Sequence, residues 1–336
     1  SKILPTTNLK ALSEADLIIE AVFEDSKVKS DITKEVEHAI STECIFASNT
    51  STLPINDLAK ASSRPDQFIG IHFFSPVEKM RLVEIIRGKQ TNDTAVAKAL
   101  DFVRQIKKTP IVVNDARFFY ANRCIIPYIN EGIRMVSEGI PPSMVNNAAQ
   151  MLGFPVGPIQ LVDETSIDLG AKIARATKAA MGQNYPDDCV DEVIFWMEKI
   201  GRLGRKSKAG FFDYDDKGKR TGYWSGLKEK YPYSTNQPSL LDVQHRLMFV
   251  QVLEAVRALE EGVLMDIREG DVGAILGWGF APWSGGPLSW LDILGTAYAT
   301  ERCEELCSIY GNRFKPPSLL IEMGKTGEEF YSRFAT

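Results

Sequence analysis

Over the first 114 residues, short apolar runs alternate with stretches of helical periodicity. A chain ordered in that way buries both kinds of element by laying crossover helices against a mainly parallel sheet. Leu17-Ile18-Ile19 followed by Ala21-Val22 has the length of a buried strand, and from Ser26 onward Val28, Ile32, Val36, Ala39 and Ile40 recur at the helical interval. Cys44-Ile45-Phe46-Ala47 predicts a second strand, and Pro54, whose missing N–H costs nothing at a helix start, opens a short helix over 55–61. Strands are expected over 68–74, 82–86 and 111–113, with a helix over 94–107. The connection over 75–81 is too short for a crossover, so the strands on either side of it are predicted as an antiparallel hairpin.

After Asn114 the pattern changes to long helices, expected over 119–137, 143–152 and 166–181. The segment 206–222, rich in Gly, Lys and Asp, reads as an irregular stretch ending a domain; 232–238 reads as a linker, with helices resuming at Asp242. The helical part repeats itself. Asn122-Arg123 followed by Glu131-Gly132-Ile133-Arg134 is similar to His245-Arg246 followed by Glu254-Ala255-Val256-Arg257. Gly153-Phe154-Pro155 with Gly157-Pro158 and Asp163 is similar to Gly279-Phe280-Ala281 with Gly286-Pro287 and Asp292, at equal spacing from proline to aspartate. The expected organisation is an α/β domain over 1–114, a helical domain over 115–225 and a second copy of it over 239–336.

The sheet predicted for 1–114 lacks one feature. A dinucleotide-binding domain opens with a strand, a glycine-rich turn and a helix whose N-terminus faces the pyrophosphate. The first glycine in this sequence is Gly70, and the strand near Leu17 runs into Val22-Phe23-Glu24. The expectation is therefore a truncated Rossmann-type domain without its opening strand–turn–helix; the other reading is a small, self-contained α/β domain.

A net charge of −5 without a long run of one sign leaves no basic face for nucleic acid or a membrane surface. No apolar run approaches the roughly 18 residues needed to span a bilayer, and the first ten residues do not read as a signal peptide. The five cysteines, Cys44, Cys124, Cys189, Cys303 and Cys307, are scattered and fit reduced thiols. Cytoplasmic location, bacterial in type, or an organellar matrix is expected.

Of three histidines, His38 falls among helical surface residues and His245 begins a helix, where capping or packing accounts for it. His72 lies inside the apolar run Ile69-Gly70-Ile71-His72-Phe73-Phe74. A hairpin centred near Glu78 sets His72 opposite Glu84, itself inside Leu82-Val83-Glu84-Ile85-Ile86. Opposed residues in an antiparallel pair share a face, and a carboxylate beside an imidazole fixes its tautomer and suits it to act as a base at neutral pH. A purely structural pair is the alternative. Ser48-Asn49-Thr50-Ser51-Thr52 follows a strand, where parallel sheets bind ligands, and equally suits a polar loop capping the next helix.

Phe46-Ala47-Ser48-Asn49-Thr50-Ser51, Ile71-His72-Phe73-Phe74-Ser75-Pro76-Val77 with Leu82-Val83-Glu84, Asn122-Arg123 and Gly153-Phe154-Pro155-Val156-Gly157-Pro158 resemble the 3-hydroxyacyl-CoA dehydrogenase family over essentially the whole chain. The tandem helical domains resemble the multifunctional fatty-acid β-oxidation enzymes (the α subunit of the fatty-acid oxidation complex), in which an enoyl-CoA hydratase domain precedes the dehydrogenase and a 3-ketoacyl-CoA thiolase is a partner. The resemblance implies an NAD-dependent oxidation of (S)-3-hydroxyacyl-CoA. His72 would be the base and Glu84 its orienting carboxylate; Ser51 and Asn122 would hold the reacting oxygen or the thioester. Val22, Phe23, Glu24, Lys29, Ser51 and Ser75 would contact NAD, and Trp290 would stand at a substrate-associated position.

Three departures from the family pattern stand out. Ser75 replaces a common Asn, Trp290 replaces a Tyr and cannot accept a hydrogen bond, and the glycine-rich loop with its following acidic residue is absent. Without that resemblance, Glu24 and Lys29 read as solvated charges beside a helix. Two further readings remain at this stage: a non-catalytic scaffold that keeps the acyl-CoA half but holds NAD weakly, and a dehydrogenase of free β-hydroxy acids.

Overall fold

The computed structural model describes residues 3–185 and 188–334. Its first part is a five-stranded sheet in the order β1-β2-β3-β4-β5, formed by Leu17–Glu20, Ile45–Ser48, Phe68–Phe73, Leu82–Arg87 and Thr109–Asn114. The neighbours β1/β2, β2/β3 and β4/β5 are parallel and β3/β4 is antiparallel, as the short 75–81 connection requires. Helices α1 (Ser26–Glu37), α2 (Ile55–Leu58) and α3 (Asp93–Gln105) connect the strands. Asp25 caps α1 and Asn92 caps α3 through their side-chain oxygens.

Two-residue alternation assigns the faces of the sheet. Ile45, Ala47, Ile69, Ile71, Val83 and Ile85 point to one side, where they pack with Ala95, Ala99 and Val103 of α3. Phe46, Phe68, Leu82, Ile86, Ile111 and Val113 point to the other and join the core of the helical part. His72 and Glu84 have the parity of this second set, which turns the pair toward the helices.

The first helical unit comprises α4 (Ala121–Ser137), α5 (Pro142–Met151), α6 (Pro158–Thr165), α7 (Ile167–Met181), α8 (Cys189–Lys199) and α9 (Gly226–Lys230). The second comprises α10 (Leu240–Glu260), α11 (Ile267–Trp278), α12 (Pro287–Leu294), α13 (Thr296–Tyr310), α14 (Ser318–Thr326) and α15 (Phe330–Phe334). The segment expected to be irregular over 206–222 instead contains a small hairpin, β6 (Phe212–Tyr214) against β7 (Arg220–Tyr223). Its strands are too short, and its Gly, Lys and Asp too frequent, to give an alternating pattern.

The matched residues of the sequence repeat occupy matched structural places. Asp163 accepts the amides of Phe211 and Phe212 at 2.8 and 3.0 Å, and Asp292 those of Phe330 and Tyr331 at 2.6 and 3.0 Å. Helices α4 and α10 pack against each other and exchange ion pairs. Arg123 reaches Glu254 and Glu261 at 2.8 and 2.6 Å, while Arg246 reaches Glu131 and Glu138, each at 2.6 Å. Each arginine is thus neutralised by glutamates of the other helix, the reciprocity of an isologous two-fold contact. Arg246 and Glu131 are wholly buried.

Candidate active site

The carboxyl ends of β1, β2 and β3 meet at one edge of the sheet, and β4, running the opposite way, brings Glu84 to that edge near its start. The register places His72 opposite Glu84, and His72 Nδ1 lies 3.0 Å from Glu84 Oε2. Both side chains are buried, 3 % and 0 % exposed. A carboxylate only accepts, so the ring proton sits on Nδ1 and Nε2 keeps its lone pair. That second nitrogen has no hydrogen bond among the described residues, and it is not among the buried polar atoms lacking a partner, so solvent reaches it. Phe74 and Phe119 flank the imidazole, with ring centroids 4.5 and 6.0 Å away.

The other oxygen of Glu84 accepts the amides of Tyr120 and Ala121 at 2.9 and 3.0 Å. These are unsatisfied donors at the start of α4, where the helix dipole also favours a negative charge. The approach to that helix is strained: Phe118 and Phe119 both have positive φ, 65° and 52°. The turn they make aims the two amides at the carboxylate.

Asn122, one residue further along α4, donates through Nδ2 to the Ser51 carbonyl at 2.8 Å. His72, Glu84, Asn122 and Ser51 are therefore joined in one chain of contacts, and the Ser51 side chain faces solvent. Asn49 Oδ1 accepts the Phe73 amide at 3.2 Å and ties the 48–52 loop to the end of β3.

Beneath this loop lies a buried charged network that the sequence does not reveal. Lys29 is 1 % exposed and is no solvated charge. Its ammonium donates to both Glu20 oxygens at 3.0 and 3.2 Å and to the carbonyls of Asn49 and Val22, with Glu24 at 3.6 Å. Glu20 also accepts from Ser48 Oγ and the Val22 amide. One oxygen of Glu24 accepts four donors from the loop: the Thr50 and Thr52 hydroxyls and the Ser51 and Thr52 amides. Burial works to raise the Glu24 carboxyl, but these donors and the Lys29 charge outweigh it and hold it below its ordinary value. The signal that could have exposed Lys29 is its place on the sheet-facing side of α1, in line with Thr33 and Val36.

Trp290 is not brought to this group. It is 5 % exposed in α12, and its indole packs edge-on against Phe249, 5.2 Å away, and against His245. Ser75 is exposed, at a cis Ser75–Pro76 bond. His245 is buried within α10, and its Nδ1 accepts from Arg302 Nε at 2.9 Å. No group of His, Cys, Asp and Glu among the described residues could hold a metal ion, and no helix among them is long and apolar enough to cross a membrane.

A sheet with crossover helices, a buried imidazole–carboxylate pair at the strand ends and an appended helical part fit a dehydrogenase that uses a nicotinamide nucleotide. Residues 1–116 match the model of the 3-hydroxyacyl-CoA dehydrogenase NAD binding domain, and 119–214 that of the 3-hydroxyacyl-CoA dehydrogenase C-terminal domain. The dehydrogenase part of multifunctional enzyme 1 from Caenorhabditis elegans is 29 % identical with a TM-score of 0.67, covering 96 % of this chain and 74 % of that one. The (S)-3-hydroxybutyryl-CoA dehydrogenase of Ralstonia eutropha is 34 % identical over 63 % of this chain and 75 % of its own, with a TM-score of 0.59. A 3-hydroxybutyryl-CoA dehydrogenase of Escherichia coli, 23 % identical, agrees in fold with a TM-score of 0.80 over 96 % of this chain and 84 % of its own. The protein is an NAD-dependent dehydrogenase. The chain belongs to the 3-hydroxyacyl-CoA dehydrogenase family.

Val22 and Phe23 lie just beyond β1, 36 % and 87 % exposed, and offer apolar surface that a planar cofactor ring could cover. Within this sequence no glycine precedes Gly70 to cradle the pyrophosphate.

Proposed function

We propose that this protein oxidises (S)-3-hydroxyacyl-CoA to 3-ketoacyl-CoA in fatty-acid β-oxidation, with His72 as general base. The observation that carries the reading is the His72–Glu84 pair: Nδ1 is bound to the carboxylate at 3.0 Å while Nε2 is left free at the strand ends. The substrate O3–H proton passes to Nε2 as the C3–H bond breaks and a C3=O double bond forms. Glu84 stabilises the imidazolium that results. NAD, when bound, supplies the acceptor for the C3 hydride. The free Ser51 hydroxyl and the Asn122 amide stand where they can hold the substrate oxygens and orient C3. Val22, Phe23 and Ser75 would line the nicotinamide side. Glu24 and Lys29 would act from below, through the 49–52 loop.

The likeness to the dehydrogenase part of a multifunctional enzyme supports further domains in the whole protein; we assign an upstream enoyl-CoA hydratase domain, and with it a 3-ketoacyl-CoA thiolase partner and a cytoplasmic or matrix location, on the family resemblance of the sequence. Residues 115–225 and 239–336 are read as two copies of one helical domain. His72→Gln tests the assignment. Turnover of 3-hydroxyacyl-CoA should fall by about 10²- to 10⁴-fold with NAD affinity nearly unchanged, and unchanged turnover would remove His72 as the base.

A further inference from the structure

The second helical unit reaches the acid–base pair along two lines of contact, both through α11. The first runs through Tyr120, whose amide binds Glu84 and whose hydroxyl donates to the Gly270 carbonyl at 3.1 Å. The Tyr120 ring is fully buried, with the Trp278 indole edge-on at 5.7 Å. The second runs through Gly277. A Cβ there would stand 2.6 Å from Leu82 Cδ2 and 3.9 Å from Phe74 Cζ, and the Phe74 ring lies against His72. Gly270, Gly273 and Gly277 form a flat stripe along α11, and a Cβ on any of them would meet Leu264, Ile111 or Leu82 at 2.5–2.8 Å. The helix is pinned there: Glu269 accepts the Val112 amide at 2.7 Å, and Asn114 of β5 donates from its amide and side chain to Val263 and Gly262, each at 2.8 Å.

Given the proposed base, we infer that α11 sets the geometry of the His72–Glu84 pair, with Tyr120 and Trp278 as the positioning residues through which it acts. The physical reason is the strained turn before α4. Two successive residues with positive φ persist only where their surroundings over-determine them. The Tyr120 hydroxyl, anchored to Gly270, is the first side-chain restraint after that turn. Release of the anchor lets Phe118 and Phe119 relax and carries the Tyr120 and Ala121 amides off Glu84. The carboxylate then loses the contacts that fix which oxygen faces His72. Burial, together with the nearby Cys124, Asp271 and Glu84, holds the Tyr120 phenol well above its ordinary range, so it stays a donor.

Tyr120→Phe in the full chain deletes only the anchor. Turnover is expected to fall about 5- to 20-fold, as suits a displacement well under 1 Å at a reacting pair. KM for both substrates should stay within about twofold, and the low-field proton NMR signal of His72 Nδ1–H should move upfield. Trp278→Phe, which keeps an aromatic ring beside Tyr120, should shift both readouts in the same direction and carries the test if Tyr120→Phe does not fold. Phe249→Leu, in the core of the second unit against Trp290 and His245, serves as the comparison: it should lower Tm and leave turnover and the Nδ1 signal unchanged. Wild-type turnover and an unmoved Nδ1 signal in Tyr120→Phe overturn the inference. So does Phe249→Leu, if it slows turnover as much at an equal loss of Tm. His72→Gln assayed alongside separates the two readings. If it retains turnover, the base assignment falls; if it loses turnover while Tyr120→Phe does not, only the coupling falls.

Discussion

Glu84 divides its two oxygens between two tasks, one accepting the amides of Tyr120 and Ala121 and the other facing His72 Nδ1 at 3.0 Å. A glutamine at this position would have to turn its carbonyl toward the two amides, which cannot accept. Its NH₂ would then face His72, driving the ring to the tautomer with its proton on Nε2, where no base is left. Glu84→Gln is expected to lower turnover by about 10²- to 10⁴-fold. Wild-type turnover of Glu84→Gln at saturating NAD and 3-hydroxyacyl-CoA rules out the pairing.

Lys29→Met should be far more damaging than the loss of a surface lysine. The change leaves Glu20, 5 % exposed, with a buried charge and no counter-ion. Breaking a buried pair in this way costs about 3–5 kcal/mol, whereas a solvated lysine would cost within about 0.5 kcal/mol. Urea unfolding of the two proteins measures the difference.

The reciprocal ion pairs are matched in position but not in burial, and their removal should be correspondingly unequal. Glu131 is wholly buried among Arg134, Arg246 and Arg313. The Glu254 side chain keeps 20 % of its surface in solvent. Glu131→Gln is expected to cost about 3–5 kcal/mol and Glu254→Gln about 1 kcal/mol or less. Equal losses in denaturant titrations would contradict the assignment of burial.

His245 should weaken the fold in mild acid. Burial, and then the Arg302 guanidinium at its Nδ1, push this imidazole down from its usual 6.5 to about 4. The unfolded chain therefore takes up a proton below about pH 6.5 that the folded chain refuses until about pH 4. Stability from this group is full above pH 6.5 and declines as the pH falls through that window. Asp163, pushed up to about 6 by burial, acts in the opposite sense. The contribution of His245 is therefore read as the stability difference between wild type and His245→Asn at pH 7 and pH 5, which should shrink at the lower pH. A constant difference would count against it.

The pairing of His72 with Glu84 was legible in the sequence because a tight hairpin links register to residue number, and the strand period then fixes the face. The same arithmetic could not show what holds Glu84 from behind. The Tyr120 and Ala121 amides arrive through a turn whose positive-φ residues are Phe118 and Phe119, types that carry no turn signal. Lys29 and Glu24 looked solvated because charge in or beside a helix usually is. The burial of Lys29, and the bonding of the half-buried Glu24, depend on Glu20 and the 49–52 loop converging from two strands. The repeat was visible as matched letters, but nothing in a linear pattern says that each half would borrow the acids of the other.

That exchange of partners has a consequence for how the molecule can change over time. Because the bonds cross over, a substitution on one side is felt as an unbalanced charge on the other. The constraint is strong at Glu131, whose loss strands the buried Arg246 of the other helix, and weaker at the partly exposed Glu254.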